Sequence, residues 1–190
     1  MKKSILLFML VLFIGQAYSQ QGFQYQTINK KSVGPDRQQV DIGLGMGLEY
    51  GGFLGAQVEY LPISHLGIFA GGGYYLVGAG WELGAKAYIM PKITEKHFRV
   101  YLTGMYGTNA AIMVIGASEY NQIFKGASFG AGMEIRFGKK KTGGLNVALL
   151  YPVRASEYDN EVEVVKHDSR IENFSEPLPV NVSIGYHFEL

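Results

Sequence analysis

The chain has 190 residues, a formal net charge of +1 and no cysteine. The lack of cysteine excludes disulfides, thiolate metal sites and a cysteine nucleophile, and the near-neutral charge gives no support for nucleic-acid binding. Glycine (26), tyrosine (13) and phenylalanine (11) are abundant and proline (6) is scarce, a composition typical of curved β-structure with aromatic belts.

Residues 1–19 have the pattern of a secretory signal peptide. Lys2 and Lys3 precede an apolar run, residues 5–14, that is too short for a membrane-spanning helix. Small residues follow the run and predict cleavage before Gln20. Cleavage would change the net charge from +1 to −1, because Lys2 and Lys3 would leave with the peptide and no acidic residue would.

The rest of the chain divides into a polar segment, residues 20–39, and an alternating region, residues 40–190. We interpret the first as a flexible periplasmic segment and the second as the β-barrel. In the second, apolar and polar residues alternate with the period of a strand that has one apolar face. Segments of roughly ten residues, the length that crosses a bilayer at a tilt, are predicted as strands at 40–50, 53–61, 66–77, 81–89, 98–106, 127–137, 145–153 and 180–190.

An even number of such strands predicts an all-β fold, a single antiparallel up-and-down transmembrane β-barrel. Tight turns are expected at Gly51-Gly52 and at Gly78-Ala79-Gly80. The longer connections, residues 109–125 and 154–179, are predicted to be loops on the outer side. Alternation at residues 161–165 would extend the seventh or eighth strand above the membrane.

The last predicted strand places Val180, Val182, Ile184, Tyr186, Phe188 and Leu190 in one apolar row. Its residues Ser183, Gly185, Phe188 and Leu190 resemble the C-terminal insertion signal of outer-membrane β-barrels, although Leu190 stands where an aromatic residue is usual. The chain from residue 40 resembles the small eight-stranded outer-membrane barrels of Gram-negative bacteria (OmpA/OmpX-like, with a porin-like barrel). The resemblance implies insertion by the barrel assembly machinery, and outer-membrane lipid and lipopolysaccharide as surroundings.

Alternation does not by itself say which face of the barrel is outside. A soluble lipocalin-like barrel would turn its apolar face inward and carry a greasy ligand. Aromatic residues near the strand ends favour the outward choice, since such rings prefer the two membrane–water interfaces. The predicted girdles are Tyr50, Tyr74, Trp81, Tyr106 and Tyr151 at one rim and Tyr60, Phe98, Phe137 and Phe188 at the other.

The opposite parity combines charged residues with glycines, as expected for a narrow lumen. Its charged side chains are predicted to form a polar network that fills the interior, and a narrow ion channel is the alternative use of the same groups. The predicted lumen network consists of Glu49, Glu59, Glu82, Lys86, Arg99, Glu134, Arg136 and Glu189.

Catalysis has one candidate site in the last long connection. His167, Asp168 and Ser169, with Glu172 nearby, are the residue types of a nucleophile, a base and an orienting carboxylate, and a lipid A-modifying enzyme would use them. Neighbours in sequence cannot easily hydrogen-bond in that order, so we expect no enzyme activity and no cofactor. No two histidines share the spacing or strand face that a metal site needs, so we expect no metal site. The expected role is structural or interactive, in membrane integrity, adhesion or partner binding through the outer loops 109–125 and 154–179, with residues 154–179 as the surface for an extracellular partner.

Overall fold

The computed structural model describes residues 39–90, 97–114, 120–138, 142–168, 171 and 178–190. It contains one closed barrel of eight antiparallel strands in which each strand pairs with the next and β1 pairs with β8, so the predicted fold is confirmed. Apart from Gln39, the predicted signal peptide and the segment 20–39 lie outside the described residues. The strands are β1 (Val40–Gly47), β2 (Gly52–Ile63), β3 (Leu66–Tyr75), β4 (Gly78–Tyr88), β5 (Phe98–Ile112), β6 (Gln122–Phe137), β7 (Gly143–Pro152) and β8 (Asn181–Glu189).

The seam between β1 and β8 closes the barrel. The two strands are paired from Asp41, opposite Glu189, to Met46, opposite Ile184. Beyond β8, the Leu190 amide donates to the Val40 carbonyl at 2.8 Å. This closure removes the free sheet edges that an open eight-stranded sheet would expose.

The first strand is shorter than predicted, because the chain turns into the barrel after Gly47. A 3-10 segment, Leu48–Tyr50, follows and is flanked by Gly47 (φ 105°) and Gly51 (φ 71°). Both φ values lie in the region that favours glycine, so this pair of residues permits the inward turn. The prediction of a strand over residues 40–50 was wrong at its last three residues.

The described residues of the connection predicted at 109–125 are mostly strand, since β5 ends at Ile112 and β6 begins at Gln122. β5 and β6 stay paired as far as Ile112, opposite Gln122. In the described residues, β4 pairs with β5 only as far as Gly107 and β7 pairs with β6 only from Ser128, so the hairpin extends beyond the barrel wall. The turn predicted at residues 78–80 was also wrong, since β4 begins at Gly78.

Residues 161–165 belong to a helix and do not extend a strand. Helix α1 (Ser156–His167) follows β7, at the end of the barrel from which the hairpin extends. Its buried side chains are Tyr158, Val162 and Val165, spaced by four and three residues. They pack on Ala110, Ile112, Val114 and Phe124 of the hairpin region, and the rings of Tyr158 and Phe124 meet edge-on with centroids 5.3 Å apart.

The two ends of the barrel differ in whether α1 is present. The helix end of the barrel is the end at α1, and the opposite end is the one where Val40 and Glu189 lie. The projection is the part of the hairpin beyond the barrel wall, residues 108–112 and 122–127, together with α1.

Candidate functional site: the barrel interior

The polar row of the barrel faces inward. Of the predicted lumen residues, Arg99 and Glu49 have no exposed surface and the most exposed, Arg136 and Glu189, reach only 6%. The interior also contains polar side chains outside the predicted network, on the strand parity that was predicted to face the lumen. These additional buried residues are Asp41, Gln57, Tyr88, Tyr101, Thr103, Asn146, Ser183 and His187.

Two arginine–carboxylate pairs occupy the opposite end of the lumen. Arg99 Nη2 pairs with Glu134 Oε2, and the Arg99 guanidinium stacks over the ring of Tyr88 at 4.3 Å from its centroid. Arg136 Nη2 pairs with Glu189 Oε2 at 2.8 Å. The Arg99 pair joins directly opposite residues of β5 and β6, whereas the Arg136 pair reaches from β6 past β7 to β8.

A second cluster centres on Lys86. Its Nζ donates to Gln57 Oε1 at 2.9 Å and to Glu59 Oε2 at 3.1 Å, and it lies 4.0 Å from Glu49 Oε1. The Tyr88 hydroxyl lies 2.6 Å from Glu59 Oε1 and 2.6 Å from Glu134 Oε1. Since a phenol carries one hydrogen, satisfying both contacts requires a proton on one of the carboxyl groups. The Tyr88 hydroxyl thus links the lysine cluster, through Glu59, to the Arg99 pair, through Glu134, and these groups form one continuous network.

The 3-10 segment carries Glu49 into the middle of the lumen. Its amide donates to Ser183 Oγ at 3.2 Å, and its carbonyl accepts from Gln57 Nε2 at 2.9 Å. Its carboxylate accepts from the Tyr101 hydroxyl at 3.0 Å and from Asn146 Nδ2 at 3.2 Å. Because β1 and β5 are four strands apart in a ring of eight, the contact from Glu49 to Tyr101 crosses the interior. Side chains and this segment therefore fill the middle of the barrel.

Tyr50 is the exception among the predicted girdle residues. It is 1% exposed, and its hydroxyl lies 3.4 Å from Asn146 Nδ2 inside the barrel. Glycine at positions 43, 45 and 185 leaves room for the ring, since a Cβ on Gly45 would lie 2.6 Å from it. The prediction that Tyr50 faces outward was wrong, because the inward turn at Gly47 ends the alternation.

The other predicted girdle residues all point away from the lumen. At the helix end, Trp81 and Tyr106 lie side by side with ring centroids 6.4 Å apart, and Lys125 Nζ lies 5.6 Å from the centroid of the Trp81 ring. The outward-facing residues are Tyr74, Trp81, Tyr106 and Tyr151 at the helix end and Tyr60, Phe98, Phe137 and Phe188 at the opposite end.

The residues that resemble an insertion signal lie on both faces of β8. Ser183 points inward and accepts the hydrogen bond from Glu49 described above, while Phe188 points outward beside Tyr186, with ring centroids 4.8 Å apart. Gly185 lies under the Tyr50 ring, where a Cβ would overlap it. Leu190 follows the strand and is exposed.

The residues of the catalytic alternative lie at the end of α1. His167 Nδ1 lies 2.7 Å from the Glu163 carbonyl of its own helix, and the imidazole is exposed. The Asp168 carboxylate accepts a hydrogen bond from the Tyr120 hydroxyl at 2.8 Å. Ser169 and Glu172 lie outside the described residues. In this geometry the Nδ1 of His167 points to a backbone carbonyl, where a triad would need an orienting carboxylate.

No protein-family model matches the chain, and the search of curated proteins found no match either. Among the described residues, no helix combines the length and the apolar character needed to cross a membrane. That part of the chain also contains no group of three or more His, Cys, Asp and Glu side chains placed to hold a metal ion.

Proposed function

We propose that this protein is an outer-membrane β-barrel with a structural or partner-binding role, inserted by the barrel assembly machinery and surrounded by lipid and lipopolysaccharide. The observation that carries the proposal is the direction of the apolar face. Large apolar side chains cover the outside of the wall, for example Leu54, Leu83 and Leu102 at 57–67% exposure. The polar row is buried. Monomeric soluble proteins seldom expose apolar surface on this scale, whereas a barrel in lipid requires it.

The height of the apolar belt fits a bilayer. On β5 the outward aromatic rings of Phe98 and Tyr106 are eight residues apart, with Leu102 halfway between them. Eight residues of strand span about 26 Å. At the usual tilt of transmembrane strands this corresponds to roughly 20 Å along the barrel axis, close to the apolar band of such barrels.

The projection supports the same assignment, because it buries apolar side chains and exposes charged ones, the reverse of the barrel wall. In α1 the apolar Val162 and Val165 are buried and the acidic side chains Glu157, Asp159 and Glu163 are exposed, as in a helix in water. The change from an apolar to a charged outside occurs at the helix end of the barrel. We place the membrane surface there and the projection in the aqueous space beyond it.

This orientation makes the projection the partner-binding surface. Residues 154–179 were expected to form it as a loop, and α1 gives that surface a defined shape with an acidic outer face. Its hydrophobic contacts with the hairpin hold the helix in place. The lipocalin-like alternative receives no support, because it needs an apolar interior.

The decisive experiment compares the membrane fractions of cells that express the protein and runs the extracted protein on a gel with and without heating. The proposal predicts recovery in the outer-membrane fraction and a faster band in the unheated sample, because a closed barrel resists unfolding by the detergent. Recovery as a soluble periplasmic protein with a single, heat-independent band would overturn it. A matched variant, Gly45→Leu, should lose the fast band, because its side chain would collide with Tyr50 and the backbone of β8.

A further inference from the structure

Acidic groups outnumber basic groups inside the barrel. Among the described residues the buried carboxyl groups are Asp41, Glu49, Glu59, Glu82, Glu134 and Glu189, whereas the buried basic side chains are Lys86, Arg99 and Arg136. Ion pairs between described residues use all three basic groups. An unmatched carboxylate in a closed interior is costly, so it needs a counter-charge from outside the chain or a proton.

Glu82 is the carboxyl group that most needs a counter-charge or a proton. It is 1% exposed, and neither of its side-chain oxygens has a hydrogen-bond partner within the described residues. It lies on β4 in the half of the barrel nearer the helix end. The Lys86 cluster and the arginine pairs provide counter-charges for Glu49, Glu59, Glu134 and Glu189.

Three more unpartnered oxygens occur on the neighbouring strands in the same half. They are the Tyr75 hydroxyl on β3, Asn109 Oδ1 on β5 and Ser128 Oγ on β6, each buried and without a hydrogen-bond partner in the described part of the chain. Asn109 is oriented by its amide nitrogen, which donates to the Val153 carbonyl at 2.8 Å. Its carbonyl oxygen is thereby left free.

The strand register brings Glu82 and Asn109 together. Glu82 Oε2 lies over Gly107, 2.6 Å from where a Cβ would stand, and the amide group of Asn109 lies over Gly126, with its nitrogen as the nearest atom. Gly107 and Gly126 are directly paired across β5 and β6, and paired residues have Cα atoms about 4.5–5.5 Å apart. The Tyr75 ring lies over Gly80, two residues from Glu82 on the same face of β4.

Within the described residues, the unpartnered atoms of Tyr75, Glu82, Asn109 and Ser128 are all oxygens. Oxygen atoms of a carboxylate, an amide and two hydroxyl groups are the ligands of a hard cation.

We propose that Glu82, Asn109, Ser128 and Tyr75 form a binding site for a small monovalent cation of the sodium class at the helix end of the lumen, where Asn109 stands at the base of the projection. One carboxylate with neutral oxygens balances a single positive charge, whereas calcium sites commonly combine several carboxylates. The ring of Tyr75 is partly exposed while its hydroxyl is buried, so the cation enters past this side chain from the helix end. The inference rests on the interior of the barrel and does not depend on the partner-binding role.

The test is the heat-unfolding midpoint of the folded protein in nonionic detergent, followed by the fraction of fast-migrating band. Sodium chloride is compared with N-methyl-D-glucamine chloride at equal ionic strength, so that screening is the same. The wild type should gain roughly 5–10 °C when sodium is near one hundred times its Kd, and the gain should saturate. Glu82→Gln should lose the sodium response, while Glu157→Gln, which changes the same charge on the exposed face of α1, should keep it.

Ser128→Ala keeps the test valid if Glu82→Gln does not fold. Removal of the Ser128 hydroxyl should weaken sodium binding by about 2–10-fold, measured as a shift of the sodium dependence of the midpoint to higher sodium concentration. Equal midpoints of the wild type in the two salts would overturn the site, as would a full sodium response in Glu82→Gln. A preference for calcium over sodium would overturn the monovalent assignment. A fast band with no sodium effect would leave the barrel proposal intact and remove the cation site alone.

Discussion

The barrel and the projection present opposite faces to their surroundings, although they are built from the same chain. The barrel wall turns leucines outward and encloses ion pairs such as that of Arg99 with Glu134, together with a hydrophobic cluster that includes Leu61, Phe69 and Leu150. The projection encloses Val162, Val165 and Phe124 and turns carboxylates outward. Burial of apolar surface is favourable only against water. In the proposed membrane location the barrel wall faces lipid and the projection faces water, and substitutions of matched exposure should separate the two.

The largest effect is expected from a break in the ion-pair network. Arg99→Met would leave the buried carboxylate of Glu134 without its main counter-charge, and the free energy of unfolding should fall by about 3–5 kcal/mol. Urea unfolding in lipid vesicles would measure it. Lys166→Met is the control, since its ion pair with Glu163 spans 3.8 Å on the exposed face of α1 and should matter by less than about 0.5 kcal/mol. Equal effects of the two changes would contradict an interior held by charge.

A second comparison introduces an arginine side chain at two exposed positions. Leu102 on the barrel wall and Val164 on α1 are exposed by 58% and 52%. Leu102→Arg should lower the free energy of unfolding in lipid by about 2–4 kcal/mol, because the position lies midway along the apolar belt. Val164→Arg should change it by less than about 0.5 kcal/mol. If both variants unfold at the urea concentration of the wild type, Leu102 does not face lipid.

A smaller and local effect is expected within the projection. Val165 has no exposed surface, whereas Val164 beside it is half exposed. Val165→Asp would bury a carboxylate among apolar side chains, so the cost of opening α1 should fall by about 1–3 kcal/mol. Protease cleavage in the helix should then be roughly 5–150-fold faster, with the barrel band on the gel unchanged. Val164→Asp should be cleaved at the wild-type rate, and equal rates for the two would contradict the packing of α1.

The strand faces were predictable because a period of two assigns every residue to a side. This holds throughout β8, where Ser183 is inside and Phe188 outside. It failed at Tyr50, where the apolar parity continues but the chain has left the sheet. The available signal was the pair of glycines around residues 48–50, together with small residues facing the Tyr50 ring. The alternation of apolar and polar residues does not reveal such a turn, because it depends on side-chain type and not on backbone conformation.

The helix was missed for a related reason. Residues 161–165 alternate over so short a stretch that strand and helix periods both fit. The decisive spacing begins earlier, at Tyr158, and the N-cap residue, Ala155, makes no side-chain cap that would mark the start. Pairing in the network was likewise beyond prediction. The charged types in the lumen are evident from sequence, but the choice of Glu134 for Arg99 and the absence of a hydrogen-bond partner for Glu82 among the described residues depend on register.

The most direct test of lipid on the outside uses Trp81, the single tryptophan of the chain, whose ring faces outward near the helix end. The folded protein would be placed in bilayers of a lipid brominated near the headgroup, and the tryptophan emission measured. A control chain would carry Trp81→Phe with Val164→Trp, which moves the ring to the exposed face of α1. We predict strong quenching of Trp81 by the brominated lipid and little by aqueous iodide, with the reverse for the control. Quenching of Trp81 by iodide but not by the brominated lipid would contradict a membrane-facing wall.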